Sequence, residues 1–242
     1  GGVHAGVFGG GIVNVVMMSL WRDDAEKDLE ARAEHLLSKR GVARWVWVVG
    51  DCEDDTKMRL ESAAWTNTDK NIEIIRGDTG ILGEAPDVRV RRLSQTIKTG
   101  LEAIHDSDDW IIIHESDLRS PADVVERFLK TGKEVVAGWV TLEPQGIFYD
   151  TWGYRADGEL FANHFPYHRR YQRSGVFEVD SVGSCWMFPA GEARHIMPER
   201  FACVEMCAKL KTRGRTIWVD PTIPIVQPSE RVYVARQHAE VM

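Results

Sequence analysis

Residues 110–118 read Trp-Ile-Ile-Ile-His-Glu-Ser-Asp-Leu, a continuous apolar run that ends in two carboxylates. Such a run is typical of a strand buried on both faces of a parallel sheet. Glu115 and Asp117 stand two positions apart at the end of this strand, where both can bind one cation of the Mg²⁺ or Mn²⁺ type. The doublet also fits a solvated turn or a helix cap, because Ser120-Pro121 has the pattern of an N-cap followed by proline.

Short apolar runs alternate with amphipathic segments along the rest of the N-terminal half. The pattern predicts strands at residues 12–20, 45–50 and 71–75, and helices at residues 23–39, 56–65 and 91–104. Successive strand–helix units predict a mainly parallel central sheet flanked by helices. The acidic loops after the first, second and fourth strands should therefore converge on one edge of the sheet. Neither a G-x-G-x-x-G fingerprint nor a P-loop is present, so a bound nucleotide would be held differently.

Composition and charge narrow the class of protein. The chain has 242 residues, of which 43% are hydrophobic, and this length predicts one globular domain over residues 1–242. A formal charge of -7 disfavours extensive nucleic-acid binding, although it permits a local basic groove. The four cysteines form no CxxC pair, which favours packed thiols in a reducing, cytoplasmic compartment. No stretch has the roughly 20 apolar residues that a membrane span needs.

In the order and spacing of several segments, the chain resembles the nucleotide-sugar-dependent glycosyltransferases of the GT-A fold. These segments are the opening strand Val-Val-Met-Met-Ser-Leu-Trp-Arg, the second strand Val-Val-Gly-Asp, the DxD-like Glu115-Ser116-Asp117, residues 179–184 and residues 214–221. The resemblance implies a single GT-A-like, Rossmann-like domain with a smaller acceptor-side portion in the C-terminal half. It divides the chain into a flexible leader, a nucleotide-binding half, an acceptor and catalytic half, and a tail: residues 1–11, 12–118, 119–228 and 229–242.

The resemblance also implies roles for particular residues. Glu115 and Asp117 are expected to bind Mn²⁺ or Mg²⁺ on the diphosphate of a UDP- or GDP-linked sugar. Many family members carry a metal-binding histidine where this chain has Gln227. His238 is a candidate replacement, although a lone histidine of this kind is more often solvated. The residues expected to contact the nucleotide sugar are Ser19, Trp21, Arg22, Asp51, Arg92 and Gly183.

The residue that takes the acceptor's proton is less evident. Inverting members of the family often carry a Glu-Asp doublet before the last helix, and this chain has Ala202-Cys203 there. Asp180 and Glu205 are the remaining candidates for the catalytic carboxylates, because glycosyl transfer needs a carboxylate near the anomeric carbon. Asp180 equally fits a turn, and Glu205 equally fits a solvated position on a helix.

Residues 164–173 bear on the acceptor, because they interleave three aromatic residues with three arginines and two histidines. Aromatic rings stack on sugars or bases, and guanidinium groups pair with phosphates. Tyr167, Arg169, Arg170 and Tyr171 are therefore candidate acceptor-binding residues. The same composition also fits a basic surface hairpin. The expected acceptors are a soluble glycan or glycoside, or a hydroxymethylated base flipped out of DNA.

Three functions fit these observations. The first is a metal-dependent glycosyltransferase that moves a hexosyl or pentosyl group from a nucleoside-diphosphate sugar to an acceptor hydroxyl. The second is a non-catalytic carbohydrate- or nucleotide-binding relative, and the third is a metal-dependent nucleotidyltransferase or phosphohydrolase. Release of a nucleoside diphosphate without pyrophosphate would distinguish the first from a nucleotidyltransferase.

Overall fold

The computed structural model describes residues 6–8, 11–22, 28–81, 83, 85–143, 146–148, 150, 153–156, 159–160 and 175–228. They form a single α/β domain with a mostly parallel central sheet flanked by helices. The helices are α1 (Leu29–Leu37), α2 (Thr56–Thr66), α3 (Pro86–Glu102), α4 (Val124–Lys130) and α5 (Ala202–Thr212), with a 3₁₀ helix at Ala190–His195. The strands are β1 (Gly6–Phe8), β2 (Gly11–Val13), β3 (Val15–Trp21), β4 (Arg44–Val49), β5 (Ile72–Arg76), β6 (Trp110–His114), β7 (Val135–Leu142), β8 (Ile147–Phe148), β9 (Arg155–Ala156), β10 (Glu159–Leu160), β11 (Phe177–Val179), β12 (Cys185–Pro189) and β13 (Ile217–Gln227).

The central sheet confirms the predicted parallel arrangement. Its strand order is β11-β13-β7-β12-β6-β3-β4-β5, and β8 pairs with β7. Strands β6, β3, β4 and β5 are mutually parallel, whereas β12 runs antiparallel between β6 and β7. Strand β13 is parallel to β7. The six parallel strands therefore end at the same edge, which we call the carboxyl edge.

Burial on both faces explains the apolar run that marks β6. Ile111 and Ile113 belong to the core on one face of the sheet, and Ile112 belongs to the core on the other. The same alternation divides β3, where Val16 and Met18 share the first core. Because successive side chains of a strand point to opposite faces, a strand covered on both sides is apolar at most positions, and its buried polar residues need partners.

The predicted helix start at Ser120-Pro121 is wrong. Helix α4 begins at Val124, because the Ser120 side chain and backbone have partners in the core instead of capping a helix. The Ser120 hydroxyl lies 2.9 Å from His114 Nε2, and its N–H donates to His35 Nε2 at 3.0 Å. Helix α3 also begins at Pro86, earlier than the predicted residue 91.

No helix within the described ranges is long and apolar enough to cross a membrane. The longest of these helices, α3, packs closely on β3 and β4 through Gly100. A Cβ atom on Gly100 would lie 2.3 Å from Met18 Sδ and 2.8 Å from Val48 Cγ2. Only glycine allows this approach, and the contact fixes α3 against the strands whose loops form the carboxyl edge.

We expect Gly100→Ala to destabilise the protein, although this change usually stabilises a helix. The added methyl group overpacks the contact with Met18 and Val48, which should reduce the free energy of unfolding by about 1–3 kcal/mol. Gln95→Ala, at an exposed position of the same helix, should change it by no more than about 0.5 kcal/mol. Urea denaturation monitored by circular dichroism measures both, and equal stability of the two variants would contradict the close-packing argument.

Candidate functional site

The carboxyl edge brings together the loops that the sequence analysis singled out. Strands β6, β3, β4 and β5 are neighbours, so the loops that follow them lie side by side. Strand β12 begins at this edge, with Cys185 opposite His114, and β13 ends there at Gln227. The strand ends from which the three acidic loops leave therefore lie together, as predicted, and Asp23 and Asp24 of the first loop lie outside the described residues.

Glu115 and Asp117 are each tied to a different part of the C-terminal half. The Glu115 N–H donates to the Ser184 carbonyl at 3.1 Å, next to the start of β12. The Asp117 carboxylate accepts a hydrogen bond from Gln227 Nε2 at 3.2 Å, at the end of β13. These contacts fix the two carboxylate-bearing residues between strands that lie far apart in the sequence.

A buried polar network supports the loop from beneath. His114 Nδ1 donates to the Glu115 carbonyl at 2.9 Å, so its Nε2 is the acceptor for the Ser120 hydroxyl. The Ser120 carbonyl accepts from Lys39 Nζ at 2.6 Å, and Lys39 Nζ also lies 2.8 Å from His35 Nε2. The network therefore connects helix α1 with the residues on both sides of Asp117.

Burial sets the charge of this network. Together with the nearby Lys39 ammonium, it lowers the pKa of His35 to about 4 and that of His114 to about 3. Burial likewise lowers the pKa of Lys39 to about 8. Both imidazoles are neutral at pH 7, as their acceptor roles require, while Lys39 still carries a proton.

Asp51 follows β4 and braces the neighbouring loop. Its carboxylate accepts hydrogen bonds from the Thr79 N–H at 2.8 Å, the Gly80 N–H at 3.2 Å and the Thr79 hydroxyl. Burial raises the pKa of Asp51, but these bonds and the nearby Arg22 guanidinium outweigh it, and the pKa is lowered. The contact with a nucleoside that the sequence resemblance implied for Asp51 stays a prediction.

The other residues assigned to the nucleotide sugar differ in accessibility. Ser19 lies inside β3 and is fully buried. Trp21 packs in the core against Trp47, with ring centroids 5.6 Å apart. Arg92 is buried on α3, one turn before Thr96, which lies against the carboxyl ends of β4 and β5. Arg22 and Arg92 are thus the cationic residues of this set nearest the edge, whereas Ser19 and Trp21 support it from the core.

Asp150 is a buried carboxylate that sequence reasoning missed. Its Oδ1 accepts from the Gly153 N–H at 3.3 Å, and a Cβ atom on Gly183 would lie 2.9 Å from its Oδ2. Burial raises the pKa of Asp150, although hydrogen bonds from Ser184 and Gly153 oppose the shift. Because Ser184 also accepts the Glu115 N–H, Asp150 lies one residue away from the Glu115 loop. No periodic pattern marks it, and apart from Gly153 its partners are distant in sequence.

The structure does not bring Asp180 to the carboxyl edge. Three strands separate β11 from β6, and the pairing register places Val179 level with Ile111. Glu115 lies four residues beyond Ile111, about 13 Å further along the strand direction. Asp180 instead forms an ion pair with Lys211, near the C-terminal end of α5.

Glu205 caps the turn that leads into its own helix. Its carboxylate accepts hydrogen bonds from the N–H groups of Glu199, Arg200 and Phe201 and pairs with Lys209 at 2.9 Å. Burial raises its pKa, but these partners outweigh burial and lower the pKa to about 2. A carboxylate with so low a pKa is a weak proton acceptor at neutral pH.

Other expected site residues lie outside the described residues: Tyr167, Arg169, Arg170, Tyr171 and His238. Within the part of the chain that the structure describes, no three His, Cys, Asp or Glu side chains form a cluster that could hold a metal ion.

No protein-family model and no curated protein matches the sequence. Several solved structures share the fold. The structure of GalNAc-T7 with UDP, GalNAc and Mn²⁺ has a TM-score of 0.63 at 9% identity, over 89% of this chain. The mannosyltransferase PcManGT from Pyrobaculum calidifontis, in complex with GDP-Man and Mn²⁺, has a TM-score of 0.55 at 13% identity, over 88% of this chain.

The chain spans 44% of the length of GalNAc-T7 and 56% of that of the mannosyltransferase. 4-Diphosphocytidyl-2C-methyl-D-erythritol synthase from Anaerococcus prevotii has a TM-score of 0.56 at 11% identity, over 94% of this chain and 96% of its own. These similarities show that the chain has the fold shared by GT-A glycosyltransferases and certain nucleotidyltransferases.

Protonation of the buried network should destabilise the protein in acid. In the unfolded chain His35 binds a proton below about pH 6.5, whereas in the folded chain it does so only below about pH 4. The free energy of unfolding should therefore fall as the pH is lowered from about 6.5 to 4. His35→Gln keeps an acceptor without a titrating group, so it should reduce this slope by up to about 1.4 kcal/mol per pH unit.

Urea denaturation at several pH values between 7.5 and 4.5 measures the slope. His105→Gln, at an exposed position, is the matched control and should leave the slope as it is in the wild type. An equal slope for His35→Gln and the wild type would mean that His35 is not held neutral by the fold.

We expect Glu205→Gln to act chiefly on stability. The amide loses the charge that faces three N–H groups and Lys209, which should reduce the free energy of unfolding by about 1–3 kcal/mol. Glu102→Gln, exposed at the end of α3, should leave it unchanged. Turnover per folded molecule, measured beside the denaturation curve, should stay near the wild-type value, and a collapse of kcat at unchanged stability would instead identify Glu205 as catalytic.

Proposed function

We propose that this protein is a metal-dependent glycosyltransferase that moves a sugar from a nucleoside-diphosphate sugar to an acceptor hydroxyl. The observation that carries the proposal is the position of Glu115 and Asp117, directly after a largely buried strand at the edge where the parallel strands end. In folds of this kind ligands bind at that edge. Two structures with the same fold contain a nucleotide or nucleotide sugar together with Mn²⁺, which supports the same ligand class here.

The side chains at this edge fit a hard divalent cation. Glu115 and Asp117 provide carboxylate oxygens, and the neighbouring Gln227 provides a buried amide oxygen without a hydrogen-bond partner among the described residues. Mg²⁺ and Mn²⁺ prefer such oxygen ligands and usually share them with substrate phosphates. When bound, the cation would neutralise charge on the departing diphosphate.

Residues of the neighbouring loops would bind the nucleotide. The buried guanidinium of Arg92 and the Arg22 side chain place positive charge near the ends of β3, β4 and β5, which favours a diphosphate. Among the described residues, Asp51 Oδ1 accepts two N–H groups and Oδ2 accepts the Thr79 hydroxyl alone, so a ribose hydroxyl could donate to Oδ2. These contacts would orient the donor along the edge.

Among the candidate carboxylates, Asp150 best fits the role of proton acceptor. It contacts Gly183 and Ser184, which adjoin the Glu115 loop, and burial raises the pKa of its carboxyl group, which makes it a stronger base than an exposed aspartate. Asp180 lies towards the other edge, and Glu205 is engaged in capping. Catalytic roles for Asp180 and Glu205 stay predictions, as do the contacts of Tyr167 and its neighbours with a glycan or a hydroxymethylated DNA base.

A nucleotidyltransferase is the second candidate. It is favoured by the erythritol synthase structure, which aligns with this chain over 96% of its own length, unlike the glycosyltransferases. The two reactions differ in their products, since a glycosyltransferase releases a nucleoside diphosphate and a nucleotidyltransferase releases pyrophosphate.

We expect Asp117→Asn to abolish release of nucleoside diphosphate from UDP- or GDP-sugars in the presence of Mn²⁺. The amide removes one of two carboxylate ligands while preserving the shape of the side chain. Glu126→Gln, on the exposed side of α4, is the control and should keep wild-type turnover. Product assays with and without a chelator provide the measurement. Full activity of Asp117→Asn in the presence of a chelator would contradict the metal-dependent glycosyltransferase. Pyrophosphate as the only product would instead support a nucleotidyltransferase.

A further inference from the structure

Gln227 is a buried side chain whose hydrogen bonding is incomplete. Only 3% of the residue is exposed. Its Nε2 lies 3.2 Å from Asp117 Oδ2, while its Oε1 is buried and has no hydrogen-bond partner in the described part of the chain. A buried amide oxygen left in this state costs about 1–3 kcal/mol. Such a cost is expected where a ligand, rather than the protein, completes the interaction.

The backbone around Gln227 holds the side chain in place. Gln227 pairs with Leu142 in the parallel β13–β7 ladder, and its carbonyl accepts from the Glu143 N–H at 3.0 Å. One residue earlier, Val226 exchanges two hydrogen bonds of 2.8 Å with Arg119. Backbone hydrogen bonds thus join the end of β13 directly to the loop that carries Asp117. They hold the Gln227 and Asp117 side chains next to each other.

The spacing of the Gln227 and Asp117 side chains suits two ligands of one cation. In an octahedral shell with metal–oxygen distances of about 2.1 Å, neighbouring ligand oxygens lie roughly 3.0 Å apart. The observed separation between Gln227 Nε2 and Asp117 Oδ2 is 3.2 Å. Because Oε1 has no partner among the described residues, a half-turn of the amide gives up only the bond from Nε2 to Asp117 Oδ2, and it places two oxygens at this spacing. Without a cation the amide donates to Asp117, and with one it can present its oxygen.

We infer that Gln227 is a ligand of the divalent cation through Oε1, in an all-oxygen set with Glu115 and Asp117. The inference rests on the proposed metal-dependent function and names a ligand at a position where the resembled family carries histidine. It needs no contribution from His238. The ligand set has a consequence for metal choice, because oxygen ligands suit Mg²⁺ as well as Mn²⁺, whereas imidazole favours the later transition metals.

The test is metal binding by the full chain, without any measurement of turnover. Titration of Mn²⁺ followed by electron paramagnetic resonance, and of Mg²⁺ by calorimetry, would be done with UDP and with GDP present. The variants are Gln227→Leu, Gln227→Glu and Gln227→His, and Gln95→Leu on the exposed face of α3 is the control. Thermal unfolding without metal shows that each variant is folded.

Gln227→Leu should weaken Mn²⁺ binding by at least about tenfold, the lower end of the loss seen when even a supporting residue of a metal site is removed. Gln227→Glu should tighten binding, because it adds a charged oxygen ligand. Gln227→His should retain Mn²⁺ and lose affinity for Mg²⁺, and Gln95→Leu should match the wild type. If Gln227 only positioned Asp117 through its N–H₂ group, Gln227→Glu would instead repel Asp117 and weaken binding.

Failure of the Gln227 assignment can be distinguished from failure of the proposed metal-dependent function. If the wild type binds Mn²⁺ and Gln227→Leu binds it equally well, or if Gln227→Glu weakens binding, Gln227 is not a ligand and the proposed function stands. If the wild type binds no Mn²⁺ with either nucleotide, both the ligand assignment and the metal-dependent function are overturned. Asp117→Asn, included in the same titrations, shows whether the measured ion is the one at this edge.

Discussion

Burial of the central strands on both faces is the constraint on which the rest of the molecule depends. It excludes polar side chains from most of β3, β4 and β6, so the polar residues between strands and helices collect at the carboxyl edge. His114 is the exception within β6, and it is accommodated because both ring nitrogens have partners. The same partners, the Glu115 carbonyl and the Ser120 hydroxyl, belong to the loop that carries the carboxylates. The core and the candidate site are therefore coupled through one imidazole.

The sequence predicted those features that depend on local pattern. Apolar runs and strand–helix alternation depend only on residues close together in the sequence. The parallel sheet, with its loops at one edge, could therefore be predicted from them. Ser120 was assigned wrongly because its N-cap propensity was outweighed by hydrogen bonds to His114 and His35, which no local pattern reveals. Asp150 and Gln227 were missed as site residues for a similar reason, because the contacts that bring them to the edge, with Ser184 and Asp117 respectively, join residues distant in sequence.

Two non-glycine residues with positive φ angles lie at the carboxyl edge. Asp51 and Ser184 have positive φ angles of 46° and 56°, which non-glycine residues rarely adopt. Asp51 follows β4 and braces the Thr79 loop, and Ser184 holds the Glu115 N–H at the start of β12. Such strain persists only where surrounding contacts enforce it, and it is concentrated at binding sites. Here the contacts that enforce it fix the loops between which a nucleotide would lie.

Buried side-chain oxygens without hydrogen-bond partners are a second, independent indication of a site at the carboxyl edge. Within the described residues, the buried side-chain oxygens without a hydrogen-bond partner are Ser19 Oγ, Asp150 Oδ2 and Gln227 Oε1. Ser19 lies near the end of β3, Asp150 lies against Gly183 before β12, and Gln227 ends β13. Because each unpartnered acceptor costs stability, Asp150 Oδ2 and Gln227 Oε1 mark the carboxyl edge as a place where an added hydrogen-bond donor or cation would be stabilising.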